Sequence, residues 1–150
     1  MNEFLPVISL RAVTPQNFSA VIHLSVREDQ KNFVASNAYS LAEAGIFPHR
    51  TPLAIYAAET PVGFLMYAFI EENQRHWIFR LMIAADQQGR GYGRAAMRLA
   101  LERMRAIPGC SQIYISYEPE NDVARKLYAS LGFRINGEIE GGEEVAVLDC

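Results

Sequence analysis

Residues 77–105 read WIFRLMIAADQQGRGYGRAAMRLALERMR. The run divides into a strand, a glycine-rich turn and a helix. Ile78, Phe79, Leu81, Met82 and Ile83 form a β-rich apolar segment that stops at the loop residues Asp86 to Gly89. Beyond the turn, Met97, Ala100, Leu101 and Met104 fall at i, i+3, i+4 and i+7, the stripe of a helix packed on one side. Gly89, Gly91 and Gly93 strip side chains from the backbone where that helix begins. Bare N–H groups at a helix N-terminus attract anions, and glycine lets a phosphate come close. Arg90 and Arg94 add positive charge beside them. The turn therefore reads as a diphosphate cradle.

The flanking segments place this unit in a larger order. Residues 5–11 (LPVISLR) predict a first strand, and Thr14-Pro15 a helix start with Thr14 as N-cap and Pro15 at the first helical position. Phe18, Val21 and Ile22 carry the helical spacing towards Leu24. The stretch from Ser25 to Gly45 is polar but studded with Phe33, Val34, Tyr39 and Leu41. It predicts one or two short helices, broken near Asn37 and ended at Gly45. Residues 53–58 and 62–70 predict a hairpin about Glu59-Thr60-Pro61, and Glu71 to Gln74 turns back into the strand ending at Ile83. Pro108-Gly109 stops the long helix, and 112–117 is a strand. Residues 121–131 are a helix closed by Gly132, and 133–139 with 143–149 a last hairpin around Gly141-Gly142. The pattern is α+β: one domain, with a mostly antiparallel mixed sheet of about seven strands and helices on both faces.

Composition bounds the function. A chain of 150 residues buries roughly 70% of its unfolded surface, enough for one core. The net charge of −3 gives no basic field for nucleic acid and mildly favours cationic small partners. No apolar run approaches the ~20 residues that span a bilayer, and the N-terminus lacks the pattern of a signal peptide. Cys110 and Cys150 stand far apart in sequence and form no C-x-x-C, which fits a reducing cytoplasm. His23, His49 and His76 are scattered without metal-ligand spacing, so no metal is expected.

The glycine turn is not a Walker loop, since no lysine follows it, nor a dinucleotide fingerprint, since its spacing is G-x-G-x-G. Gln88-x-x-Gly91-x-Gly93 instead resembles the acetyl-coenzyme A signature of the GNAT N-acetyltransferase superfamily, Q/R-x-x-G-x-G/A, at each fixed position. A second segment, ISYEPENDVARKLYASLGFR (residues 115–134), is similar to the family pattern N-x-x-A-x-x-L-Y-x-x-L-G-F at Asn121, Ala124, Leu127-Tyr128 and Leu131-Gly132-Phe133. The element order matches the family's fold over essentially the whole chain. The resemblance implies that Gln88, Gly89, Arg90, Gly91, Tyr92, Gly93 and Arg94 take the diphosphate of acetyl-CoA. Leu81, Met82 and Ile83 would then line its pantetheine, with Asn121, Ala124 and Lys126 beside it. It also implies a bulge that splays the central strand, and often a homodimer. On residue type alone, Tyr128 lies on an apolar helical stripe and Asn121 suits an N-cap.

Acetyl transfer to an amine sets chemical demands. Deprotonating an alkyl amine of pKa near 10.4 at pH 7 costs roughly 4–5 kcal/mol, so a carboxylate or a water chain ending on one must take the proton. The departing thiolate needs a weak acid, which a tyrosine of pKa about 10 provides. Tyr128 is that general acid under the resemblance. Candidate bases and acceptor-binding acids are Glu28, Asp29, Glu71, Glu72 and Glu118, with Glu28 ranked first because its segment walls the acceptor site in such enzymes. Residues 26–44 and 136–144 look like the bacterial spermine/spermidine branch, which implies a polyamine acceptor. A peptide N-terminus, an antibiotic or an amino acid, and a non-catalytic acyl-CoA-binding module, stay open as alternatives.

Overall fold

Ile113, Ile115 and Tyr117 are buried while their neighbours Gln112, Tyr114 and Ser116 are half-buried, a period of two that sets three side chains on one face of a sheet. The computed structural model describes residues 6–150, so the start of the predicted first strand at Leu5 lies outside the described residues. The described residues form seven strands: β1 (Ile8–Ala12), β2 (Arg50–Ala57), β3 (Thr60–Ile70), β4 (Arg75–Ile83), β5 (Gln112–Tyr117), β6 (Arg134–Glu140) and β7 (Glu143–Asp149). Their spatial order is β1-β2-β3-β4-β5-β7-β6. All neighbours are antiparallel except β4 and β5. A parallel pair needs a crossover, which the helix after the glycine turn supplies.

Among the described residues four α-helices cover the sheet: α1 (Phe18–His23), α2 (Asn37–Ile46), α3 (Tyr92–Arg105) and α4 (Asp122–Ser130). On one face, Met97, Ala100, Leu101 and Met104 of α3 pack with Tyr128 and Phe133 over Leu53, Ile55, Leu65, Ile78, Ile113 and Ile115. The stripe read from the sequence is thus the buried one. On the other face Val21 of α1, with Val34, Leu41 and Ala44, covers Ala54, Phe64, Met66 and Met82. The sheet is α+β with helices on both faces, as expected.

The first third of the chain departs from expectation. The helix begins at Phe18, not Pro15, because the Asn17 side chain builds a turn: Oδ1 accepts from the Thr14 amide at 2.8 Å, and Nδ2 donates to the Ala12 carbonyl and the Tyr56 hydroxyl at 3.1 Å. Asn37 does not break a helix; it opens α2, with Ser36 as N-cap accepting from the Tyr39 amide at 3.1 Å. Its buried side chain donates to the Val21 carbonyl at 2.9 Å, closing the end of α1. Gly45 sits inside α2, which runs on to Ile46. The β2–β3 turn is Ala58-Glu59, with Ala58 at φ 52°, and Thr60-Pro61 already belong to β3. Pro61 lies beyond the first β3–β4 pair, Gly63↔Ile83, so its missing N–H costs no ladder bond there.

Candidate active site

The glycine turn carries β4 into α3. Gly89 (φ 79°) and Gly91 (φ 85°) are left-handed, a conformation that favours glycine, and Gly91 is the N-cap of α3 without a side-chain cap. Among the described residues, no amide from Gly89 to Arg94 donates a hydrogen bond. Those N–H groups and the positive end of the α3 dipole converge on open space. Gly93 has another reason to be small. A Cβ there would meet Ile83 and Leu127 at ordinary contact distances of 3.7 and 3.9 Å, so the fold itself has room for it, and a longer side chain would enter the cleft these residues line. The Gln88 side chain anchors the turn instead of pointing outwards. Its Nε2 donates to the Ile83 carbonyl and Gln30 Oε1, both at 2.9 Å, and its Oε1 accepts from Arg27 at 2.8 Å. Arg94 donates to Ser130 Oγ at 2.6 Å, tying α3 to α4.

Above the turn the sheet opens. β4 and β5 pair only from His76↔Ile113 to Ile78↔Ile115, while β4 continues beside β3 to Ile83. A register shift between Met66↔Arg80 and Tyr67↔Ile78 leaves Phe79 as an extra residue on β4. Such a bulge sharpens local twist and turns the strand. The β5-facing edge of β4 from Phe79 to Ile83 therefore has no partner strand, and its backbone polar groups face the gap. Gly63 makes the close approach of β3 possible: a Cβ there would stand 2.4 Å from the Met82 carbonyl oxygen. Leu81 and Ile83 point to the α3 side, and Met82 points to the opposite core, 5% exposed.

One cleft of about 510 Å³ gathers Leu81, Ile83, Gln88, Gly89, Gly91, Tyr92, Gly93, Arg94, Asn121, Ala124, Lys126 and Tyr128. Arg90 stands outside its wall, exposed, with a 3.5 Å contact to the Asp86 carbonyl. Asn121 is the N-cap of α4, its Oδ1 accepting from the Ala124 amide at 3.2 Å, which leaves Nδ2 for the cleft. Tyr128 is 8% exposed, its ring 5.7 Å from that of Tyr117 and 6.0 Å from that of Phe133. Its hydroxyl has no hydrogen-bond partner among the described residues. Burial first, then the charge of Glu143, pushes its pKa well above the ordinary tyrosine value, so the phenol keeps its proton at neutral pH. The sequence reading missed Val26, Gln30, Phe33 and Val34, which form the facing wall. Only the apolar pair Phe33-Val34 in a polar stretch hinted at them.

The acidic candidates do not line this cleft. Glu28, in a 3₁₀ turn over Glu28–Gln30, has a side chain 84% exposed and 2.5 Å from Lys31 Nζ. Asp29 pairs with Arg27 at 3.3 Å, and Glu71 with His49 at 2.6 Å. Glu72 is exposed in the β3–β4 turn, and Glu118 is half-buried after β5. Among the described residues no three His, Cys, Asp or Glu side chains gather in a metal-binding group, and no helix is long and apolar enough to cross a membrane.

Comparison with known proteins agrees with this geometry. The acetyltransferase (GNAT) family matches residues 18–133. The spermine/spermidine N(1)-acetyltransferase of Bacillus subtilis (strain 168) is 31% identical over 149 residues, 95% of this chain and 98% of that protein. Spermidine N-acetyltransferase from Vibrio cholerae, solved in complex with CoA and spermine, shares the fold with a TM-score of 0.74 at 19% identity, over 95% of each chain. A domain from Methanocaldococcus jannaschii DSM 2661 shares it with a TM-score of 0.79 at 17% identity, over 97% of this chain and 99% of that one. An uncapped glycine turn, a splayed central strand and a matching family model over most of the chain thus lead to one conclusion: the chain belongs to the GNAT acetyltransferase family.

Proposed function

We propose that this acetyltransferase moves the acetyl group of acetyl-CoA to a primary amine of a polyamine, spermine or spermidine, with Tyr128 as general acid. The observation that carries the reading is the run of unpartnered amides from Gly89 to Arg94, opening on a cleft that ends at a buried tyrosine. Acetyl-CoA, when bound, supplies an acyl group already activated as a thioester. The amides of Gly91, Tyr92, Gly93 and Arg94 hold its diphosphate, with Arg90, Arg94 and Lys126 adding charge. Gln88 fixes the turn in that conformation. The free edge of Leu81, Met82 and Ile83 runs beside the pantetheine arm, with Ala124 and the Asn121 amide opposite, and its N–H groups aim at developing oxyanion charge. Tyr128 gives its proton to the departing sulfur.

A polyamine acceptor is supported by the 31% identical relative and by the acid surplus of the chain. Glu28, Asp29, Glu71, Glu72 and Glu118 contribute acidic surface that draws a polycation at long range. The reading extends to a homodimer, supported by Ile135 and Ile139, exposed on the outermost strand β6. CoA thiol release with spermine, spermidine, amino acids, aminoglycosides and a peptide N-terminus tests the assignment. The polyamines are expected to give the highest kcat/KM. A better peptide or antibiotic would change the acceptor, and CoA binding without turnover would make the chain a binding module.

A further inference from the structure

A second cavity of about 470 Å³ lies on the opposite face of the sheet, where β4 and β5 part. Its walls include Trp77 and Phe79 of β4, Ser116 of β5, Glu140 of β6 and Glu143 of β7. Val34 lines both this cavity and the cleft described above, so the two adjoin. Phe79 is the bulged residue of β4, which turns its ring into the second cavity beside Trp77 at a centroid distance of 6.5 Å. Aromatic faces attract ammonium groups and pack well against methylene chains.

The charge in this cavity is acidic. Arg80 reaches its wall too, its Nη2 paired with Glu43 at 2.8 Å and its Nε without a partner among the described residues, so one cation stands against two carboxylates there. Glu140 and Glu143 are direct cross-strand partners beside the Gly141-Gly142 turn, an unfavourable placement for like charges that a cation between them relieves. Among the described residues, neither carboxylate has an Arg, Lys or His within ion-pair distance. Glu143 is nevertheless held in place, because Ser116 Oγ donates to its Oε1 at 2.7 Å and leaves Oε2 free. The same carboxylate is felt by Tyr128, whose phenol proton it helps retain. It therefore lies near the proposed acid but on the side from which a second substrate could enter.

We propose that the second cavity admits the acceptor amine and that Glu143 is the catalytic residue that takes its proton, an inference that rests on the chain acetylating amines. Glu143 accepts a proton from the ammonium group. The freed nitrogen lone pair bonds to the acetyl carbonyl carbon as the C–S bond breaks, and Tyr128 protonates the departing sulfur. The proton left on the new amide nitrogen passes to solvent, Glu143 releases to solvent the proton it took, and one solvent proton restores the Tyr128 phenol, so each turnover frees one net proton. Glu140 touches a more distant amino group of the acceptor and sets affinity rather than rate.

Kinetics and calorimetry on the whole protein, with spermidine as probe, test this. Glu143→Gln is expected to lower kcat about 10²–10³-fold with the Kd of CoA unchanged, and Glu143→Asp to recover part of the loss. Glu140→Gln is expected to raise KM and the calorimetric Kd for spermidine about 3- to 5-fold at unchanged kcat. A Glu143→Gln enzyme with wild-type kcat overturns the proposal. If the wild type acetylates another amine but no polyamine, the polyamine reading fails alone, and the same variants on that amine decide the role of Glu143. If no amine turns over, spermidine calorimetry decides: binding weakened by Glu143→Gln supports the cavity, and absent or unaltered binding overturns it.

Discussion

Tyr128 keeps its ring between those of Tyr117 and Phe133 and its hydroxyl at the wall of the cleft. With no hydrogen-bond partner among the described residues, that O–H is left available to a molecule bound in the cleft. Tyr128→Phe is expected to lower kcat by roughly 10²–10³ and leave the KM for acetyl-CoA nearly unchanged, as steady-state kinetics would show. The raised pKa also has a sign in stability. An unfolded tyrosine ionises near pH 10, whereas the buried one resists ionisation. Its contribution is present in full below about pH 10 and is lost as pH rises from there towards the native pKa. Urea midpoints between pH 8 and 11 should therefore fall more steeply for wild type than for Tyr128→Phe. Residue type alone gave Tyr128 a core stripe and Asn121 an N-cap; the family resemblance singled them out, and both line the cleft. The acids were harder to read, because a carboxylate acquires meaning only from what faces it. Glu28, ranked first from the sequence, points to solvent, whereas Glu143 looked like an ordinary hairpin residue until the sheet brought Ser116 to it.

Elements whose ends are built from neighbouring residues were legible, and those closed by distant ones were not. α4 has its cap at Asn121 and its stop at Gly132, and the structure keeps both. The segment from Thr14 to Asn37 closes through Asn17 on Tyr56 and Asn37 on Val21, partners that no local pattern announces. The bulge at Phe79 is equally silent, since it arises from pairing with β3. At this scale the N-terminal turn of α3 gives a prediction with two opposite signs. Gly93→Leu replaces a poor helix former and packs against Ile83 and Leu127, so thermal unfolding should show stability unchanged or raised by about 0.5–1 kcal/mol. The same side chain fills the cleft, and calorimetry should show CoA affinity reduced at least tenfold. Between α2 and the strands, Glu43 bridges Arg80 at 2.8 Å and Arg50 at 3.5 Å, with its side chain 13% exposed. Glu43→Ala would leave two arginines half-buried without their carboxylate and is expected to cost about 3–5 kcal/mol by urea denaturation.

Across the whole molecule, the strands β1 to β4 and the strands β5, β7 and β6 meet along one short seam, the parallel pairs His76↔Ile113, Trp77↔Tyr114 and Ile78↔Ile115. Below that seam the sheet parts, and the two sides are joined by the apolar layer under α3 and α4 and by the Arg94–Ser130 contact. A ligand in the cleft would touch the end of β4, the start of α3 and the inner face of α4 at once, replacing strand pairing that the fold leaves out. Its binding energy should therefore act on the stability of the whole domain and not on one loop. At a CoA concentration 100 times Kd, mass action adds about 2.7 kcal/mol. For a chain of this length that corresponds to a rise in Tm of about 5–10 °C. Scanning fluorimetry with and without CoA checks the figure. The Gly93→Leu protein should keep its own melting point and show at most about half that rise at the same CoA concentration, because a Kd weakened tenfold or more leaves no more than about 1.4 kcal/mol. Amides from Gly89 to Arg94 should at the same time pass from rapid to slow hydrogen exchange, with weaker protection in Gly93→Leu than in the wild type. A wild-type protein whose Tm and exchange ignore CoA would leave the open seam without an occupant and remove the ground for every step assigned to it.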